Sequence, residues 1–103
     1  MSDRELLELA AKAAGYEYAK HGGYIVVDGI PGNWNPLTDD GDALRLAVML
    51  RMDICRPHKK HDCVCVWDDA ARKFIEEPHG TDPYAATRRA IVRAAAEIGR
   101  SKP

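Results

Sequence analysis

Apolar positions along this chain recur with two different periods. In residues 3–14, DRELLELAAKAA, Leu6, Leu9, Ala10 and Ala13 return at three- and four-residue spacing, with Glu5, Glu8 and Lys12 on the other side. That spacing predicts an amphipathic helix. Gly15 is suited to end it, because the residue after a helix often turns left-handed and glycine does so without strain. Residues 34–52, WNPLTDDGDALRLAVMLRM, predict a second and more apolar helix. Past Ala43 only Arg45 and Arg51 interrupt Leu44, Leu46, Ala47, Val48, Met49, Leu50 and Met52. A helix apolar on nearly all sides is expected to be buried on more than one of them, so this stretch is expected to be the one the rest is built around. Thr38 is the expected N-cap, and Asp39, Asp40 and Asp42 place negative charge at the positive end of the helix dipole. A third helix is expected from Asp82 as N-cap and Pro83 at the first helical position to about Gly99. Its inward face would carry Tyr84, Thr87, Ile91, Ala94, Ala95 and Ile98. Its solvated stripe would carry Arg89, Arg93, Glu97 and Arg100.

The other period is two. Residues 16–20 and 24–28 flank Gly22-Gly23, a two-residue hairpin signal that would set Tyr18 opposite Val27. Tyr16, Tyr18, Ile25 and Val27 then share a face. The run 31–36, PGNWNP, reads as turn-forming and irregular, and Pro57 closes off any continuation of the second helix. Residues 61–68, HDCVCVWD, alternate as a strand, and residues 73–77 return as another after a four-residue loop. Val66 would meet Ile75 and Trp67 would meet Phe74. Val64, Val66 and Ile75 form one face; Cys63, Cys65, Trp67 and Phe74 form the other. The expected fold class is therefore α+β, in the order α-β-β-α-β-β-α. Two hairpins would join into one antiparallel sheet of about four strands with three helices, giving an α-β-α layered sandwich or a two-layer arrangement.

Length bounds this to one domain, residues 1–103. Hydrophobic residues make up 46% and charged residues 30%, which argues against disorder. A net charge of −1 leaves no electrostatic footprint for nucleic acid or an anionic membrane. No apolar stretch reaches the length of a membrane span, and the N-terminus reads as helical rather than as a signal peptide. Three cysteines, an odd number, fit a reducing cytoplasm better than a disulfide framework.

Two motifs carry a family resemblance. Trp34-Asn35-Pro36-Leu37, followed by Asp42-Ala43 and a helix, resembles the aromatic-Asn-Pro signature of NinX-like phage and prophage proteins, the phage ABA-sandwich domain group. Asp82-Pro83-Tyr84-Ala85-Ala86, leading an Ala-rich helix, is similar to that family's terminal helix. The resemblance covers roughly residues 1–54 and 78–100 and does not extend to residues 55–77. It implies a layered α/β fold and an accessory protein acting in the cytoplasm of a bacterial host. It supplies no activity.

The chemistry the sequence offers is sparse. No Ser/His/Asp, paired-carboxylate or nucleotide-binding glycine motif has workable spacing, and His79 near Asp82 is too little for a catalytic pair. No catalytic residue is expected, and the leading expectation is a non-enzymatic protein that binds a host component, with an anti-phage defence complex as target. The alternative is a small-ligand or nucleotide-binding module in which Trp34 and Asn35 line a pocket and Arg88 or Arg89 supplies charge. Loop chemistry also describes a Trp34 that plugs the core edge, with Asn35-Pro36 shaping a turn. Arg88, Arg89 and Arg93 could meet an acidic partner or phosphate, but such residues are more often the wet face of a helix. Cys55, His58, His61, Cys63 and Cys65 lie within eleven residues and include enough ligand types for zinc, but not at the C-x2-C spacing that signals it. Free cysteines also serve as small core residues. No other cofactor is expected.

Overall fold

The computed structural model describes residues 1–18, 24–27, 30–55, 62–69 and 72–102. Its elements are α1 (Asp3–Ala14), β1 (Glu17–Tyr18), β2 (Tyr24–Val27), β3 (Ile30–Asn33), α2 (Asp40–Met49), β4 (Met52–Cys55), β5 (Cys63–Asp68), β6 (Lys73–Pro78) and α3 (Pro83–Ser101). The class is α+β. The strands form two separate antiparallel sheets, β1-β2-β3 and β4-β5-β6, in place of one sheet of about four strands. Each expected hairpin has acquired a third strand of its own.

Capping chemistry sets the helix ends. Ser2 accepts from the Glu5 amide at the start of α1, and Gly15 closes it at φ 80°. Asp82 accepts from the amides of Tyr84 and Ala85, and Pro83 takes the first position of α3. At α2 the cap is Asp39, not Thr38: an Asp39 carboxylate oxygen accepts from the Asp42 amide at 2.8 Å. Thr38 instead turns its hydroxyl back to the Asn35 carbonyl. The helix stops at Met49 and does not run on to Met52, because Leu50 leaves helical geometry and Arg51 turns left-handed at φ 56°. That reversal frees Met52–Cys55 to pair with β5.

The other unexpected strand is β3. Ile30-Pro31-Gly32-Asn33 pairs antiparallel with β2. It lies at the edge of its sheet, where a proline without an amide proton is tolerated. On its other side β2 pairs with β1 in a register that sets Tyr18 opposite Ile25 rather than Val27. A two-residue displacement keeps each side chain on its face, and Ile25 is buried with Tyr16 and Tyr18 packed against the core. Residues 19–23, with the expected Gly22-Gly23 turn, lie outside the described residues. The β5–β6 register is the expected one, Val66 opposite Ile75 and Trp67 opposite Phe74.

The core forms around α3. This helix touches α1, α2, β5 and β6. Ala86, Ala90, Ile91, Val92, Ala94, Ala95, Ala96 and Gly99 are all buried on it. Along β5, Val64, Val66 and Asp68 are buried and alternate with half-buried Cys63, Cys65 and Trp67. The second helix does not take the central place its composition suggests. Ala43, Leu46 and Ala47 are buried, but Leu44, Val48 and Met49 are 58%, 69% and 46% exposed. Tyr84, expected to face inward, is 73% exposed at the first turn of α3. Arg93 belongs to no free stripe, since it donates to the Glu76 carbonyl and to the Glu77 carboxylate and so ties α3 to β6.

Two leucines two residues apart on α2 should therefore behave differently. Leu46→Asp places an unpaired charge in the core, at a cost of several kcal/mol, and should unfold the domain. Leu44→Asp should change stability by no more than about 0.5 kcal/mol. Urea denaturation followed by tryptophan fluorescence measures both, and equal sensitivity at the two positions would contradict a one-sided α2.

Candidate functional site

The loop before α2 is held together by its own polar groups. The Asn35 amide donates to an Asp42 carboxylate oxygen at 2.9 Å, and the Asn35 side-chain oxygen accepts from the Leu37 amide at 3.0 Å. The Asn35 carbonyl accepts from the amides of Thr38 and Asp39. Pro36 is fully buried. Trp34 is 5% exposed, and Tyr16 and Tyr18 meet it edge to face at ring separations of 5.8 and 6.4 Å. Trp34 is thus a core plug that joins the β1–β2–β3 sheet to the main core, and Asn35 is the hub of a turn.

Arg88 reaches this loop from α3. Its Nε donates to the Leu37 carbonyl at 2.9 Å, and its guanidinium pairs with Asp40 at 2.6 Å. Arg89, one position on, points elsewhere and pairs with Asp3 of α1 at 3.2 Å. Of the four binding candidates, then, Trp34, Asn35 and Arg88 converge on one region, and Arg89 serves the α1–α3 junction.

Beside Arg88 lies a groove of about 190 Å³ between α2, α3 and β4, lined by Asp40, Ala43, Leu44, Ile54, Tyr84, Thr87, Arg88 and Ile91. Its walls are mainly apolar, with Arg88 and Asp40 at one side. Leu44, Ile54 and Tyr84 are 58%, 43% and 73% exposed. Val48 continues the exposed face of Leu44 one helical turn on. Of these residues, only Arg88 is a binding candidate from the sequence. The available signal was an α2 with more apolar residues than one contact face can bury.

A shallower groove of about 230 Å³ runs beside the start of α3, with His79, Glu77 and Arg89 among its residues. His79 pairs with Asp62 at 3.2 Å rather than with Asp82, whose carboxylate is occupied in capping α3.

The cysteines gather on the outer face of the β4–β5–β6 sheet. Cys55 is paired directly across from Cys65, and Cys63 lies two residues before Cys65 on the same face. All three are free thiols and half-buried. Burial pushes the Cys65 thiol up to about 11, with the neighbouring Cys55 and then Glu76 adding to the effect. His58 and His61 lie outside the described residues. Among the described residues no three His, Cys, Asp or Glu side chains converge as a metal site would require. On the same face the Trp67 and Phe74 rings meet at a tilt of 53°, with centroids 4.7 Å apart.

Trp34→Ala should cost about 3–5 kcal/mol, the range for emptying a buried aromatic site. Chemical denaturation followed by far-ultraviolet circular dichroism measures the loss. A variant within 1 kcal/mol of the parent would return Trp34 to the role of an exposed recognition residue.

Comparison with known proteins yields no match to this chain among family models, curated proteins or solved structures.

Proposed function

We propose that this chain is a non-enzymatic binding protein that engages a partner protein through the apolar face of α2, β4 and the first turn of α3. The observation that carries this reading is the exposure of Leu44, Ile54 and Tyr84 around one groove beside an Arg88–Asp40 pair, with exposed Val48 one turn further along α2. Side chains of this size left in water as a group commonly mark a protein-interaction surface, whereas isolated exposed apolar residues do not. Aromatic anchors and a neighbouring arginine are the residue types that dominate such contacts. The Trp34-Asn35-Pro36 and Asp82-Pro83-Tyr84 motifs, which resemble those of phage accessory proteins, support a host protein as the partner. A bacterial anti-phage defence complex is the target class.

A second reading rests on Arg88 and the groove itself. A small anionic ligand with an apolar body could place its charge against Arg88 by displacing Asp40, which is 76% exposed at its side chain. Such a ligand stabilises the folded state by RT ln(1 + [L]/Kd), about 2.7 kcal/mol at a hundredfold excess over Kd.

Affinity capture from host lysate tests the first reading. The parent chain should retain a stoichiometric partner, and the variants Leu44→Asp and Tyr84→Ser should lose it while keeping the parent's circular dichroism and melting midpoint. Retention of the partner by both variants, or repeated failure of the parent to capture any, would overturn it. Thermal melts against a panel of nucleotides and cyclic nucleotides address the second reading: a midpoint rise abolished by Arg88→Ala would replace the first reading with it.

A further inference from the structure

We infer that Cys55 and Cys65 form a dithiol–disulfide pair, closed by a small-molecule disulfide such as oxidised glutathione. The inference stands on the pairing of β4 with β5 and is independent of the groove.

Cys55 is the last residue of β4, and its direct partner across the ladder is Cys65. Directly opposed residues of an antiparallel pair have Cα atoms about 4.5–5.5 Å apart. A disulfide spans about 4.4–6.8 Å between Cα atoms, so the backbone is already at bridging distance. Opposed residues also project to the same side of a sheet, so the two thiols share one face. Cys63 is less well placed for either of them. It lies along the same strand from Cys65, at roughly 6.5 Å for two residues of strand. It lies diagonally from Cys55, where Cα separations are about 7–8 Å. Its own partner across β6 is Pro78.

Access and consequence both follow from position. Among the described residues, α3 packs against β5, whose Val64 and Val66 are buried, and Cys55 and Cys65 lie half-buried on the opposite face, where a small reagent can reach them. Burial, then the neighbouring Cys55 and then Glu76, the partner of Cys65 on the other side, disfavour a thiolate at Cys65 and slow the reaction. In the first exchange one protein thiol, as thiolate, attacks the sulfur–sulfur bond of the small disulfide. A mixed disulfide forms, and one small thiolate leaves and takes up a proton. The second protein thiol loses its proton to solvent and attacks the protein sulfur of the mixed disulfide, releasing the second small thiol. Two protein thiols are oxidised to one disulfide, and one small disulfide is reduced to two thiols. The closed bond fastens β4 to β5 one residue from Ile54, which forms a wall of the groove.

The test is incubation of the reduced full chain with oxidised and reduced glutathione over a range of ratios, read by intact mass and by peptide mapping. The parent and Cys63→Ser should each lose two hydrogens, with the bond mapped between Cys55 and Cys65. Cys55→Ser and Cys65→Ser should stop at a mixed glutathione adduct. The oxidised parent should also melt at a higher temperature than the reduced one. A bond that includes Cys63, or a parent that accumulates only mixed adducts at every ratio, would overturn the inference. Both readings come from the parent chain, so they hold even if a serine variant fails to fold.

Discussion

The contact on which this structure depends is the approach of α3 to the backbone of α1 at Gly99. A Cβ at that position would sit 2.8 Å from the Leu9 carbonyl carbon and closer still to its oxygen. Glycine is therefore required by space and not by backbone conformation. The approach is possible because the buried faces of both helices carry small residues, Ala10, Ala11 and Ala13 on α1 and Ala94, Ala95 and Ala96 on α3. Closely approaching helices exclude water and bring many atoms into dispersion contact even where no single side chain is large. Polar ties surround the crossing: Lys12 donates to the Lys102 carbonyl, Lys102 donates to the Ala13 carbonyl, and Asp3 pairs with Arg89.

With α1 occupying one side of α3, the other sides receive the β4–β5–β6 sheet and α2. Val64 and Val66 of β5 fill the space beneath α3, and α2 contributes Ala43, Leu46 and Ala47. Among the described residues, this arrangement leaves two surfaces with no element packed over them. One is the outer side of α2, where Leu44 and Val48 face water near Ile54 and Tyr84. The other is the outer side of the sheet, with its cysteines, Trp67 and Phe74. The proposed binding face and the proposed thiol chemistry occupy these two surfaces. Arg88 and Arg93 are the polar fasteners of the layers, one joining α3 to the loop before α2 and the other joining α3 to β6.

The parts of the fold legible in the sequence are those where a local signal agrees with the tertiary outcome. Gly15 after α1 and Asp82 and Pro83 at the start of α3 mark those helix ends in the sequence, and strict alternation across a short loop gives the β5–β6 register. The hidden parts have identifiable causes. In β3 a proline and a glycine read as a turn because edge pairing does not show in propensity. In β4 four residues follow a helix with no breaker, and the reversal is made by Arg51 in a conformation that a non-glycine residue uncommonly adopts. Missing β4 also hid the opposition of Cys55 to Cys65. The one-sided burial of α2 does not show in the sequence because composition reports how apolar a helix is, not how many neighbours it has. Gly99 looked like a helix end because glycine usually marks one; its actual role is close packing within a helix that runs on to Ser101.

The most direct measurement on the α1–α3 crossing is the unfolding free energy of Gly99→Ala, by urea denaturation beside the parent. Alanine is the better helix former by about 1 kcal/mol, so at a merely helical site the variant would gain stability. If Gly99 holds the backbone of α3 against Leu9, the added methyl must push the helices apart, and the variant should lose about 3 kcal/mol or more or fail to fold. A Gly99→Ala chain as stable as the parent, or more stable, would contradict the crossing and the arrangement of the core built on it.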